Sequence, residues 1–221
     1  MRRMPPTATA TPSGRLGRSQ AARRARVLDA VLELGREGGY DAVQLRVVAD
    51  RSGVASDTIY RYFGSRDRLI SAAVIHWLEG EAFASAATWG KGATAGERLL
   101  SYCHRVCDLW ANDLNLIDML VRSELAEGGK ADGPAARSRA LLDPVLRATL
   151  DGVDPDYADD VALIIEHVTH STMTSLVRHQ VGIDDVHPVF DRTIRRLAQH
   201  PAMEGHRPKS WDPKVRRTGT R

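Results

Sequence analysis

The chain has 221 residues, 43% hydrophobic and 27% charged, which is the composition of a globular protein with room for a small domain joined to a larger one. No apolar run approaches the roughly 20 residues that cross a bilayer, and the arginine-bearing N-terminus lacks the apolar centre of an export signal; a cytoplasmic location and no membrane partner are therefore expected. The net charge of +3 is unevenly spread: residues 1–66 hold twelve Lys and Arg against six Asp and Glu, residues 67–200 thirteen against twenty, and the last twenty-one six against two. A basic end on an acidic body suits a polyanion on one face, although a solvated basic tail would give the same counts.

Residues 1–18 mix Pro, Thr, Ala, Gly and Arg without an apolar period and read as a disordered basic arm. Its Arg2, Arg3, Arg15 and Arg18 are placed either to enter a minor groove or to stay solvated. The first helix is predicted from Gln20 to Glu37, with Val27, Ala30, Val31 and Leu34 on one face and Gly38-Gly39 as its stop. A second follows from Gln44 to Arg51, burying Leu45, Val48 and Ala49, and a third from Ser56 to Phe63. A fourth is predicted from Ser65, a plausible N-cap, to Thr88, where Trp89-Gly90-Lys91-Gly92 breaks it. Five more fit Ala95–Ala111, Leu114–Ala126, Ala135–Leu150, Asp156–Val181 and Asp185–Gln199, the first of them opened by a Thr94/Glu97 capping box. Residues 201–221 read as a disordered basic tail. The expected fold is all-α, with a three-helix domain over 19–66 and a larger helical domain over 67–200.

Residues 38–66, GGYDAVQLRVVADRSGVASDTIYRYFGSR, follow the physical logic of a helix-turn-helix. Ala49 allows a close helix crossing, Gly53 permits the sharp turn, and Val54 anchors it. On the third helix Ile59 and Phe63 point inward, leaving Ser56, Asp57, Thr58, Tyr60, Arg61 and Tyr62 outside. An arginine there can donate two hydrogen bonds to a guanine, and hydroxyls can reach base edges or phosphates. The segment 24–69, and above all Thr58-Ile59-Tyr60-Arg61-Tyr62-Phe63, resembles the DNA-binding domain of the TetR family of bacterial repressors. The resemblance implies a homodimer on a double-stranded, inverted-repeat operator, released by a small-molecule effector, with no cofactor and no catalysis. It places DNA contacts at Gln44, Arg46, Ser56, Asp57, Thr58, Tyr60, Arg61 and Tyr62, and at Arg66, where the family usually has a phosphate-binding lysine. Two departures stand out. Ala55 occupies a position where relatives carry a Ser or Thr cap, which leaves Ser56 to cap the helix, and Asp57 is acidic on a DNA-facing helix.

The rear domain is expected to hold the effector and the dimer contact. Trp77, Phe83, Tyr102, Trp110, Met119, Leu120 and Met173 could line an apolar pocket or fill an ordinary core. By resemblance to the family the last two helices pair with their copies, with Leu163, Leu176, Val189, Ile194 and Leu197 as candidates. The string in the DNA-binding half is similar to the actinobacterial repressors of cholesterol catabolism, which implies a steroid-derived or other acyl-CoA thioester. Arg105, Arg122 and Arg178 could meet its phosphates or make surface ion pairs. Cys103, His104 and Cys107 on one helix, and His167 with His170 on another, have the chemistry of a metal sensor, but their spacing is unlike that of structural zinc sites; no metal is expected. A sequence-neutral DNA binder is the other alternative, against which the large acidic rear domain argues. No G-x-S-x-G, HExxH, phosphate loop or dinucleotide fingerprint points to an enzyme.

Overall fold

The computed structural model describes residues 12–82, 89–127 and 134–205. Among them are nine α-helices and no strand, as the all-α expectation requires. Helix α1 (Pro12–Ala42) begins ahead of the predicted Gln20, so backbone expected to be disordered is helical. Pro12 suits a first helical position, and no proline interrupts residues 13–20, so the helix extends backward from its core-packed nucleus despite Gly14 and Gly17. Arg2 and Arg3 lie outside the described residues, and of Arg15 and Arg18 only the backbone is described. At its other end the expected stop is instead a kink: Gly38 and Gly39 leave helical φ/ψ, Gly39 at φ 67°, and one further turn follows. Gly39 needs its glycine for that backbone and because a Cβ would lie 3.3 Å from Asp118 Oδ2.

Helices α2 (Leu45–Ser52) and α3 (Ser56–Phe63) form the expected helix-turn-helix. Gly53 sits in the left-handed region at φ 66°, and Val54, Ile59 and Phe63 are buried. Helix α4 (Arg66–Trp77) starts at Ser65, whose Oγ accepts the Arg68 N–H at 3.1 Å. It was predicted to reach Thr88 but widens at Leu78–Ala82 into a π-turn, around a glycine that propagates an α-helix poorly. Phe83 lies outside the described residues.

Behind this head come α5 (Ala95–Ala111), with its capping box present, α6 (Leu114–Glu127), α7 (Pro134–Thr149) and α8 (Pro155–Val177). Helix α8 ends four residues before the predicted Val181, at an Arg178 cap followed by His179 in the left-handed region (φ 54°). Helix α9 (Val186–Leu197) closes the set. A short 3-10 turn, Pro201–Glu204, then buries Ala202 and Met203, and the Asp154 N–H donates to Ala202 O at 2.9 Å. The tail expected from 201 is therefore folded to Glu204, because two apolar side chains and one carbonyl find partners in the body; residues 206–221 lie outside the described residues. The core is continuous from head to rear. Helices α1, α4 and α6 pack on one another, and α1 touches α6 so closely at Gly35 that a Cβ there would fall 2.0 Å from Met119 Sδ.

Candidate functional site

The recognition face is built by anchoring α3 through two side chains. Ile59 and Phe63, one turn apart, are buried, which turns Ser56, Asp57, Tyr60 and Arg61 outward; Tyr60 is 62% exposed. Gln44, at the N-cap of α2, and Arg46 are exposed beside them. Two residues expected on this face are only half outside. Thr58 is half-buried, and Tyr62 lies edge-on to Phe63 with ring centroids 6.3 Å apart. Ser56 does not replace the missing cap: Ala55 is the N-cap and makes no side-chain bond, so Ser56 is the first helical residue. Its hydroxyl is thus not committed as the cap of α3.

Arg66 departs most from its expected place. Its Nε donates to Val43 O at 2.5 Å, its Nη2 donates to Tyr40 O, and its guanidinium lies 4.2 Å from the centre of the Tyr40 ring. The cation stitches α4 to the end of α1 because the kink at Gly38-Gly39 presents the two carbonyls to it. On the opposite side of the same ring stands Arg122 from α6, also at 4.2 Å. The Tyr40 hydroxyl donates to Asp67, and burial together with that carboxylate pushes the phenol above its ordinary range. Arg122 grips Asp41 with two bonds of 2.8 and 2.9 Å, which holds the Asp41 carboxyl below the usual range.

This joint continues along one side of α6. Asp113, just before the helix, pairs with Arg36 at 2.8 Å, and Asn115 Nδ2 donates to Arg36 O at 2.8 Å. Asp118 accepts the Tyr40 N–H at 3.2 Å. Asp113, Asn115, Asp118 and Arg122 therefore address the last turns of α1, which lead directly into the helix-turn-helix.

The other side of α6 faces a cavity of about 940 Å³ between α5, α6, α7 and α8. Tyr102, Trp110, Leu120 and Met173 of the expected lining are on its walls. Trp77 and Met119 are not: Trp77 packs edge-on against Trp110 at 5.5 Å, and Met119 is taken up by the Gly35 contact. Sequence reasoning missed Glu124. Its signal was present, because Leu116, Ile117, Leu120 and Val121 mark the inner face of α6 and Glu124 continues it one turn on. The Glu124 side chain is 13% exposed, and burial pushes its carboxyl up to about 7 while Arg139 pulls the other way.

None of Arg105, Arg122 and Arg178 lines this cavity. Of the dimer candidates, Leu163 is 54% exposed on α8 and its neighbour Ile164 39%, whereas Leu176 and Ile194 are buried in their own subunit and Val189 and Leu197 half-buried. The metal-sensor alternative gains nothing: among the described residues no group of three or more His, Cys, Asp and Glu could hold an ion. Cys103 and Cys107 are buried thiols, the latter pushed up to about 12 by desolvation, and His104 turns to Asp191 at 2.7 Å. His167 and His170 instead lie on the cavity wall. No helix among the described residues is long and apolar enough to cross a membrane.

A helix-turn-helix with a free polar face, joined through one helix to a cavity in a separate helical layer, matches the known proteins that resemble this chain. Residues 27–73 match the tetR family of bacterial regulatory proteins, and residues 92–197 match the tetracyclin repressor-like C-terminal domain. The chain belongs to the TetR family. The HTH-type transcriptional repressor KstR of Mycolicibacterium smegmatis is 29% identical over 81% of this chain and 88% of its own, and its counterpart in Mycobacterium tuberculosis 28% over 81% and 82%. Among solved structures, a TetR transcriptional regulator from Rhodococcus sp. RHA1 superposes with a TM-score of 0.69 at 21% identity, over 83% of this chain and 98% of that one. FadR from Bacillus subtilis, solved in complex with stearoyl-CoA, gives 0.56 at 21% identity over 78% and 96%. The protein is thus a regulatory protein of the TetR family, with a helix-turn-helix head and a helical C-terminal domain.

Proposed function

We propose that this TetR-family repressor binds an inverted-repeat operator as a homodimer and releases it when a small hydrophobic effector fills the cavity. The observation that carries the reading is the double allegiance of α6. Leu120, Val121 and Glu124 lie on the cavity wall, while Asp118 and Arg122 hold Tyr40 and Asp41 at the end of α1. An occupant that shifts α6 pulls on the segment that aims α3. A coupling of about 1–3 kcal/mol, roughly 5–150-fold in operator affinity, is the ordinary size of such an effect.

Two copies of α3 then sit about 34–36 Å apart in successive major grooves. Ser56, Asp57, Tyr60 and Arg61, with Gln44 and Arg46 beside them, supply the contacts, and Thr58 and Tyr62 contribute their exposed edges. Arg66 acts chiefly as an anchor, because its donors already bind backbone carbonyls. On α8 the exposed Ile164, with Leu163 at the edge of the cavity, offers apolar surface to a second copy. A steroid-derived or fatty acyl-CoA thioester is the effector class we favour. The likeness to the KstR repressors supports it, as does the likeness in fold to FadR, which was solved in complex with stearoyl-CoA. The protein acts in the cytoplasm, by binding and without turnover.

The test is operator binding followed by fluorescence anisotropy, with steroid-side-chain and fatty acyl-CoA thioesters and their free acids. Release by a thioester is expected, with the response blunted in Arg122→Ala while the ligand still binds. A thioester that binds tightly and leaves operator affinity unchanged would sink the effector reading.

A further inference from the structure

The charge of the cavity walls narrows what can sit between them. Among the described residues the lining holds five carboxylates, Glu124, Asp143, Asp159, Asp160 and Glu166, and two guanidiniums, Arg139 and Arg147. Both guanidiniums are engaged. Arg139 Nη1 lies 2.5 Å from Glu166 Oε1, while Arg147 bridges Asp143 at 2.9 Å and Asp159 at 2.7 Å. A ligand phosphate or carboxylate entering here would meet an excess of negative charge. It would also have to compete at each guanidinium with the carboxylates already paired there, Glu166 at Arg139 and Asp143 with Asp159 at Arg147.

Glu124 differs from the other four carboxylates. It stands on α6 one turn beyond Leu120, on the face that meets the cavity with Val106, Trp110 and Ile165, and its side chain is 13% exposed. The His170 imidazole is 3.9 Å from Oε2, outside hydrogen-bonding range. A carboxyl so enclosed by apolar groups is costly unless something in the cavity bonds to it. It is also the ionisable cavity group closest in sequence to Arg122, which grips Asp41 from the same helix two residues earlier.

We propose that the effector presents a hydrogen-bond donor, a hydroxyl or an amine on an apolar body, to Glu124, and that no anionic group of the effector is seated among these walls. The inference rests on the reading of the cavity as the effector site and specifies the chemistry of that site. A bare hydrocarbon chain leaves Glu124 with no hydrogen bond, its nearest basic group being the His170 imidazole at 3.9 Å. The polyanionic part of a thioester stays outside the walls, and only its acyl or ring body enters.

The test uses one bicyclic body with four ends: decalin, decahydronaphthol, decahydronaphthylamine and decahydronaphthoic acid. Binding to the full-length protein is measured by calorimetry and thermal shift, for the wild type, Glu124→Gln and Glu124→Leu. The alcohol and the amine are expected to bind about tenfold or more tightly than the hydrocarbon and the acid. Glu124→Leu should erase that advantage. Glu124→Gln should keep part of it for the alcohol and lose it for the amine. Because the leucine variant removes a buried acid, it is expected to fold at least as well as the wild type, so loss of the ranking reports on recognition. Tightest binding by the acid, a ranking unchanged in Glu124→Leu, or no binding by any of the four would overturn the proposal. Operator affinity measured in the same solutions separates the two readings: the expected ranking without operator release refutes the effector role and leaves the ligand chemistry standing.

Discussion

The recognition helix and the cavity bring their working groups together in different ways. Helix α3 does so within eight consecutive residues: two buried side chains, Ile59 and Phe63, fix its rotation, and Ser56, Asp57, Tyr60 and Arg61 face out. The cavity needs four helices separated by up to 70 residues, and its polar groups, Glu124 on α6, Arg139 on α7 and Glu166 and His170 on α8, meet only after packing. A surface reader can change its specificity one residue at a time without disturbing the core. A void formed by converging helices has less freedom, because its apolar walls, Val106, Trp110, Leu120 and Ile165 among them, also carry the packing. Between the two stands α6, whose polar side holds the end of α1 and whose apolar side, with Glu124, lines the cavity.

The sharpest way to break the connection is to separate α1 from α6. Gly35→Val would thrust a β-branched side chain onto Met119 Sδ, which a Cβ already approaches to 2.0 Å. Better helix propensity than glycine returns at most about 1 kcal/mol, so the overpacking dominates, and a loss of roughly 3 kcal/mol is expected in urea unfolding. Adding Met119→Ala should cost less than the sum of the single changes, since it empties the space the valine needs. Strict additivity would mean that the close approach at Gly35 contributes nothing. Next in size is Arg61→Ala, which should leave unfolding unchanged and weaken operator binding by about 2 kcal/mol, relaxing discrimination at one base pair. An unaltered operator affinity would show that the wrong face of α3 has been assigned.

How much of this was readable beforehand follows the same division. The helix-turn-helix could be placed within a residue or two because each of its signals is local: Gly53 for the left-handed turn, Val54 to plug it, Ile59 and Phe63 one turn apart. The capping box at Thr94 and Glu97 was equally plain. The cavity was half legible. Tyr102, Trp110, Leu120 and Met173 were singled out by type, but nothing local distinguishes them from Trp77 and Met119, whose partners, Trp110 and Gly35, are set by packing. Glu124 escaped because a lone acid in a helix is usually solvated, and only the face it shares with Leu120 says otherwise. Arg66 shows the same limit: its position in the motif suits a phosphate, and its bonds to the carbonyls of Tyr40 and Val43 depend on how the end of α1 packs against α4.

Arg66 gives a third and smaller test, one that sets a local motif against its tertiary surroundings. Arg66→Ala removes two bonds to the carbonyls of Tyr40 and Val43 and the contact with the Tyr40 ring. A stability loss of about 1–2 kcal/mol is expected, with the salt dependence of operator binding unchanged. A phosphate contact would show the reverse: normal unfolding and a logarithmic salt slope reduced by about one. That result would return Arg66 to the DNA face and leave Tyr40 held by Arg122 alone.

The smallest expected effect concerns the cavity by itself. Burial raises the Glu124 carboxyl from 4.5 to about 7 in the folded protein. Below the lower value the group is protonated whether or not the chain is folded, and it makes no difference to pH dependence. Between the two the unfolded chain has released its proton and the folded chain still holds it. Stability therefore falls as pH rises through this window, and the loss is complete above about pH 7. Glu124→Gln cannot titrate, so the wild type should lose about 1–2 kcal/mol relative to the variant between pH 4.5 and 7, the figure being reduced for partial solvent screening. Urea midpoints at several pH values read the difference directly. A wild type that instead gains on the variant as pH rises would place Glu124 in a firm ion pair with Arg139, in competition with Glu166. A preformed pair of that kind would leave the carboxyl no need of a donor from the effector, and the cavity would then select its ligand by shape alone.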